Sequence, residues 1–157
     1  MATDVSGTRL RLWLRLLAAT NEMERTLRRR LRAEFGTTLP RFDMLAALDR
    51  APEGLSMSEL SRRLMVTNGN TTVLVGALEK DGLVRRAVSP ADRRSFTVEL
   101  TDAGRDAFER MAACHARWVS ELLSGLDLAA AKQLSEGLHD ARLAIEASAN
   151  RVPTLTA

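Results

Sequence analysis

A chain of 157 residues with 45% hydrophobic and 27% charged side chains has the size and balance of one globular domain, which excludes a disordered chain and two independent folds. Its net charge of +3 is unevenly placed: residues 1–55 carry 10 basic and 7 acidic groups, residues 56–94 carry 7 and 4, and residues 95–157 carry 6 and 9, so the N-terminal and central parts suit phosphates. Of 23 basic residues 21 are Arg, which fits phosphate contacts and genomic base composition equally, while the absence of Tyr and 4% aromatics argue against single strands stacked on aromatic platforms.

Residues 1–7 read as a flexible start. The most apolar run, Leu10 to Ala19, is broken by Arg11 and Arg15, so it is too short for a membrane span and lacks the uninterrupted core of a signal peptide, and the protein is expected in the cytosol. The single Cys114 allows no internal disulfide and fits a reducing compartment. From Thr8 to Phe35 a long helix is expected, with Leu12, Leu16, Ala19, Met23, Leu27 and Leu31 on one stripe and Leu10, Trp13, Leu14 and Leu17 widening it. Two apolar faces on one helix need two partners, the protein's own core and a second subunit. Arg28, Arg29, Arg30 and Arg32 read as a solvated face that can flank DNA. Gly36 ends the helix, and Pro40 opens a short one carrying Phe42, Leu45, Ala46 and Leu48 to about Arg50. Ala51-Pro52-Glu53-Gly54 breaks it, and Ser56 with Glu59 has the spacing of a capping box. Ser56 and Ser58 can also reach phosphate there.

Leu60 to Leu83 carries two helical sets, Leu60 with Leu64, then Thr71, Leu74, Val75 and Leu78, separated at Met65 to Thr67. Thr67 is placed to N-cap the second helix, and Gly82 to close it in a left-handed conformation. With the apolar set inward, Asn68, Gly69, Thr72, Val73 and Gly76 face outward and Asn70 lies on the flank. That outer face is small and polar. Asn pairs with adenine, Thr with either base type, and Val73 can meet a thymine methyl, so the pattern fits a DNA-reading helix-turn-helix. Two alternating segments follow, Leu83 to Val88 and Phe96 to Leu100, joined by the turn-forming Ser89-Pro90-Ala91-Asp92-Arg93-Arg94-Ser95. The expectation is a mainly α fold with a small β-hairpin wing. Thr101 then caps a helix with Phe108, Met111, His115, Val119 and Leu122 on its stripe and Trp118 at the edge. Gly125 and Asp127 interrupt it before a last helix from Leu128 to about Ala147, built on Leu134, Leu138, Ala141 and Ile145.

The order helix-turn-helix, strand, Asp92-x-Arg94, then Val98-x-Leu100-Thr101-x-x-Gly104, resembles the MarR family of bacterial transcription regulators over roughly residues 8 to 148. The resemblance implies a single domain, 1–157, in which residues 40–100 form the winged helix-turn-helix lobe and residues 8–35 and 101–148 supply dimerisation helices. It makes Arg94 a minor-groove arginine, Asp92 its orienting carboxylate, and the stretch Asn68 to Val73 the major-groove reader. Thr67, Arg86 and Arg93 complete the expected DNA surface. Family members often carry a cation near the position of Val73, whereas this helix has none before Lys80, which leaves base preference open.

The family binds small ligands between its dimerisation helices and its DNA lobes, which makes Trp13, Arg15, Phe42, Met44, Phe108, Met111, His115 and Trp118 the pocket candidates here. The words Leu64 to Asn70 and His115-Ala116-Arg117-Trp118 are similar to regulators of aromatic-acid breakdown, some of which sense coenzyme A thioesters. The expectation is a homodimeric double-stranded-DNA-binding repressor on an inverted-repeat operator, released by an aromatic carboxylate or its coenzyme A thioester. A winged-helix architectural or protein-interaction module without ligand control is the alternative. Cys114 and His115 point to different sides of one helix, and two histidines with one cysteine lack metal-ligand spacing. With no catalytic constellation and no phosphate-binding glycine loop, neither an enzyme nor a cofactor is expected.

Overall fold

The structure, a computed structural model, describes residues 2–88 and 96–149. Helix α1 (Ala2–Phe35) starts six residues before the expected Thr8, so residues 2–7 are helical and not a flexible start. Nothing breaks that segment, since no proline is present and one helical glycine, Gly7, costs only about 1 kcal/mol. The two halves of α1 differ in burial. Leu27 and Leu31 are buried with Thr26, whereas Leu10, Leu12, Trp13, Leu14 and Leu17 are all exposed.

Helix α2 (Leu39–Asp49) carries Pro40 in its first turn and buries Leu39, Phe42, Met44, Leu45 and Leu48. Helices α3 (Met57–Leu64) and α4 (Asn68–Lys80) pack beside it and bring Leu60, Thr71, Val75 and Leu78, each fully buried, into the same core. Fully burying each Leu or Val contributes roughly 1.5–3 kcal/mol, so this three-helix cluster is a large stabilising part of the lobe.

Strands β1 (Val84–Val88) and β2 (Phe96–Leu100) pair antiparallel, Val84 opposite Leu100, Arg86 opposite Val98 and Val88 opposite Phe96. The inward face holds only at the base of the hairpin: Val84, Val98 and Leu100 are buried, but Val88 and Phe96 are exposed because the ladder has run beyond the helices that cover it. Leu55 adds one rung that alternation does not signal, exchanging two backbone hydrogen bonds with Val98.

Helix α5 (Asp102–Leu122) buries Gly104, Met111 and Trp118, so Trp118 is a core residue and not at an edge. Its ring sits 6.2 Å from that of Phe35, with the Arg30 guanidinium over its face. The chain divides into two compact units, residues 1–119 and residues 120–157. The second contains α6 (Leu128–Ala149), opened by Asp127, whose carboxylate accepts the Ala130 N–H at 2.8 Å. No residue of α6 is buried, and Leu128, Leu134, Leu138, Leu143 and Ile145 are exposed. No helix among the described residues is long and apolar enough to cross a membrane.

Candidate nucleic-acid interface

The helix-turn-helix is held by a few polar contacts. Ser56 and Glu59 form the expected capping box: the Ser56 hydroxyl accepts the Glu59 N–H at 3.3 Å, and the Glu59 carboxylate accepts the Ser56 N–H at 2.9 Å. Hydrogen bonds from Ser56 hold the Glu59 carboxyl below its ordinary pKa, with Arg62 and Arg63 adding to the effect. Ser56 is therefore committed to its helix. Ser58 is exposed, its hydroxyl 3.2 Å from that of Ser56.

Between α3 and α4 the chain reverses through Met65, the one described non-glycine residue with positive φ, at 52°. Val66 N–H donates to Ser61 C=O and Met65 N–H to Arg62 C=O, which is a Schellman closure with methionine where glycine is usual. A side chain in that conformation costs roughly 1–2 kcal/mol. Thr67 N-caps α4, its hydroxyl accepting the Asn70 N–H at 3.4 Å. Buried Thr71 shares a 2.7 Å hydrogen bond with Ser61, which pins α4 to α3. At the far end Gly82, with φ of 72°, closes α4 as expected: Leu83 N–H donates to Leu78 C=O and Gly82 N–H to Glu79 C=O.

Held in this way, α4 turns Asn68, Gly69, Asn70, Thr72, Val73 and Gly76 outward, all exposed. Val73 is 73% exposed, far from a core position. The face carries no charge; Arg86 on β1 lines a small cleft with Thr72 at its edge, and Arg62 and Arg63 at the end of α3, Lys80 at the end of α4 and Arg85 on β1 are also exposed. Arg86 also pairs with Glu79 across 3.5 Å, and Arg85 with Glu99 at 3.1 Å. A neutral face with Arg86 at its edge has the arrangement of base readout flanked by a phosphate contact. Nothing in the sequence marks Arg62 and Arg63 for such a contact, because a helix end rich in Arg reads as an ordinary C-terminal turn. Asp92, Arg93 and Arg94 lie outside the described residues.

The expected ligand residues divide. Phe42, Phe108 and His115 come together, the Phe42 ring stacked on His115 at 4.6 Å and 5.6 Å from Phe108. Phe42 and His115 line a cleft of about 530 Å³ with Asp43, Ala46, Arg50, Arg63 and Met65. Burial lowers the His115 pKa. Desolvation, with the charge of Glu24, raises that of Asp43, although its edge stays exposed. Met44 is wholly enclosed in the core and Trp118 packs on Phe35, so neither lines this cleft. Trp13 and Arg15 are exposed on the first half of α1, and Met111 lines a different cleft. The cations at hand are Arg50 and Arg63, not Arg15; both lie in helix-ending segments whose sequence gives no hint that they converge on His115.

Fold and surface together define a winged helix-turn-helix transcription regulator of the DNA-binding class. The MarR family model matches residues 35–95. The chain resembles the crystal structure of a MarR family transcriptional regulator from Silicibacter pomeroyi, at 37% identity and a TM-score of 0.78, over 90% of this chain and 98% of that one. It also resembles a MarR family regulator from Streptomyces coelicolor solved in complex with DNA, at 28% identity and a TM-score of 0.75, over 87% and 86% of the two chains. Among curated proteins it is 38% identical to the transcriptional activatory protein BadR of Rhodopseudomonas palustris, over 65% of this chain and 59% of that one. The chain belongs to the MarR family, which comprises transcription regulators and not enzymes. Its matches span 51 to 64% of the length of such curated relatives.

Proposed function

We propose that the protein is a homodimeric, operator-binding regulator whose hold on double-stranded DNA is relaxed by a small aromatic acid. The observation that carries the DNA reading is the outward face of α4, which is uncharged and rich in amides and hydroxyls, with Arg86 of β1 beside Thr72 and exposed Arg62, Arg63 and Lys80 at the ends of α3 and α4. A helix turned only to solvent gains nothing from leaving Val73 and two glycines there. In the groove, Asn68, Asn70 and Thr72 read base edges and Val73 meets a thymine methyl, while Thr67, Gly69 and Ser58 allow or make close backbone contact. From the wing, Arg94 enters the minor groove with Asp92 holding its fork, and Arg86 and Arg93 add phosphate contacts.

Dimerisation is assigned to residues 8–35 and 101–148, supported by the exposed apolar residues of the first half of α1 and of α6. A two-fold dimer sets two recognition helices about 34 Å apart, one duplex turn, which makes the operator an inverted repeat. In the cleft of Phe42 and His115 a flat ring stacks, and its free carboxylate, or the carbonyl oxygen of its coenzyme A thioester, accepts hydrogen bonds from Arg50 or Arg63. Arg63 lies in the last turn of α3 and Met65 reverses the chain toward α4, so a ligand there favours one position of the recognition helix over another. Such release makes the protein a repressor where its operator overlaps a promoter; BadR carries the name of an activator, and the sign follows from operator position.

The test is selection of binding duplexes from a random pool, followed by sedimentation and retardation with and without a panel of aromatic acids. A dimer bound to an inverted repeat and displaced by one of the acids is the expected result. Binding without sequence preference favours the architectural module, and a monomer that selects one half-site overturns the dimer.

A further inference from the structure

A small cleft of about 160 Å³ opens where the start of α3, the recognition helix α4 and the hairpin meet. Met57 of α3, Thr72 of α4, and Arg86, Phe96 and Val98 of the two strands line it. The three strand residues share one face of the ladder, because Arg86 is opposite Val98 and Phe96 stands two residues from Val98 on β2. The cleft has little polarity of its own: the Thr72 hydroxyl donates to Asn68 C=O at 3.0 Å within its helix, and Arg86 is the one charged side chain.

Phe96 is the feature that folding does not explain. Val98 on the same face is buried in the core, whereas Phe96 is 58% exposed and adds little to it. A lone apolar side chain on a flat surface needs no partner, but this one fronts a concave wall with Met57 and Val98. The cleft is continuous with the outward face of α4, since Thr72 belongs to both. Once α4 occupies the major groove and the wing the minor groove, one sugar-phosphate strand crosses between helix and hairpin, where the cleft opens. That strand presents a phosphate and a deoxyribose in alternation. Arg86 suits the first and the apolar wall the second. The Arg86–Glu79 pair, at 3.5 Å and with both side chains partly exposed, is weak enough to be exchanged for a phosphate.

We propose that this cleft seats one deoxyribose of each operator half-site, with its C2′ edge against Phe96 and Met57, while Arg86 leaves Glu79 for the adjoining phosphate. The contact rests on the DNA reading of α4 and goes beyond it, because it recognises the sugar and not the base. A ribose would carry its 2′-hydroxyl into the same apolar wall. With Arg86 engaged by phosphate and the Thr72 hydroxyl by Asn68, that group would be buried and poorly partnered, which is costly. Phe96 therefore makes the protein distinguish deoxyribose from ribose at one nucleotide.

The experiment measures retardation of the selected operator by the full-length protein while a single ribonucleotide is moved along each strand. One position in each half-site should bind about tenfold more weakly with ribose than with deoxyribose, and the other positions should change little. Phe96→Ala should weaken binding of the all-DNA operator about tenfold at unchanged salt dependence, since the loss is of apolar burial, and should abolish the ribose penalty by opening the site to water. Arg86→Gln should instead reduce the salt dependence. The scan uses the unaltered protein, so it stands whatever the stability of the variants. No ribose-sensitive position, a penalty that persists in Phe96→Ala, or a Phe96→Ala protein that binds as tightly as the wild type would overturn the site. A wild-type protein that selects no duplex would overturn the DNA reading itself, and the site with it.

Discussion

Gly104→Ala tests whether the joint between the recognition helix, the wing and α5 is as tight as the structure places it. A Cβ built on Gly104 would stand 1.9 Å from the Leu83 carbonyl oxygen and 2.8 Å from its carbon. The closest ordinary carbon–oxygen approach is about 3.3 Å, so the two segments must part by roughly 1.4 Å. Leu83 has little room to yield, being bonded to Leu78 on one side and to Thr101 on the other. Thr101 is itself fixed, its hydroxyl donating to Gly82 C=O at 2.6 Å and accepting the Gly104 N–H at 3.0 Å. Overpacking of this kind costs about 1–3 kcal/mol and each hydrogen bond lost about 1 more, against a gain of about 1 for alanine over glycine in a helix. The net expectation is a loss of about 2–4 kcal/mol, read as a lower urea midpoint at unchanged slope and fixed protein concentration. Gly76→Ala, whose Cβ would meet nothing within 4 Å, serves as the control and should gain stability by about 0.5–1 kcal/mol. A Gly104→Ala protein as stable as the wild type would refute the close approach.

Met65→Gly should stabilise the lobe by about 1 kcal/mol in the same unfolding assay, because the left-handed closure of α3 suits glycine; destabilisation would contradict the assigned strain. Burial sets the folded pKa of His115 below the ordinary 6.5, so the unfolded chain takes up its proton first as pH falls. Stability present above pH 6.5 is therefore lost as pH drops below it, and His115→Gln should flatten that part of the profile; an unchanged slope would remove His115 as its source. Arg94→Ala should weaken operator binding by about 1–3 kcal/mol and reduce its salt dependence, as measured by retardation at several salt concentrations. Unaltered affinity in a folded protein would take Arg94 out of the minor groove.

Much of the lobe was legible in the sequence because its signals are local. Ser56 with Glu59, Thr67 and Gly82 each act within a few residues, and the inward set Thr71, Val75 and Leu78 follows from helical period alone. What stayed hidden depends on distant neighbours. Nothing near Met65 marks it as left-handed, since the usual glycine is absent. The exposure of Val88 and Phe96 reflects where the covering helices end, not their own alternation. Trp118 is buried because Phe35, 83 positions earlier, lies against it. The same limit applies to the ligand residues: periodicity places Phe42, Phe108 and His115 on inward faces, but it says nothing of Arg50 and Arg63 joining Phe42 and His115, or of Arg41 meeting Asp81. Partnerships across elements are set by packing, which a single sequence does not print.

Repeating the duplex selection with Asn68→Ala shows whether the neutral outer face of α4 reads bases. Asn68 is exposed and the helix is capped by Thr67, so the fold should be untouched. The expected result is an inverted repeat in which one position of each half-site loses its preference, at a cost of about 1–3 kcal/mol per contact, while the other positions keep theirs. An identical consensus bound with unchanged or uniformly lower affinity would contradict it.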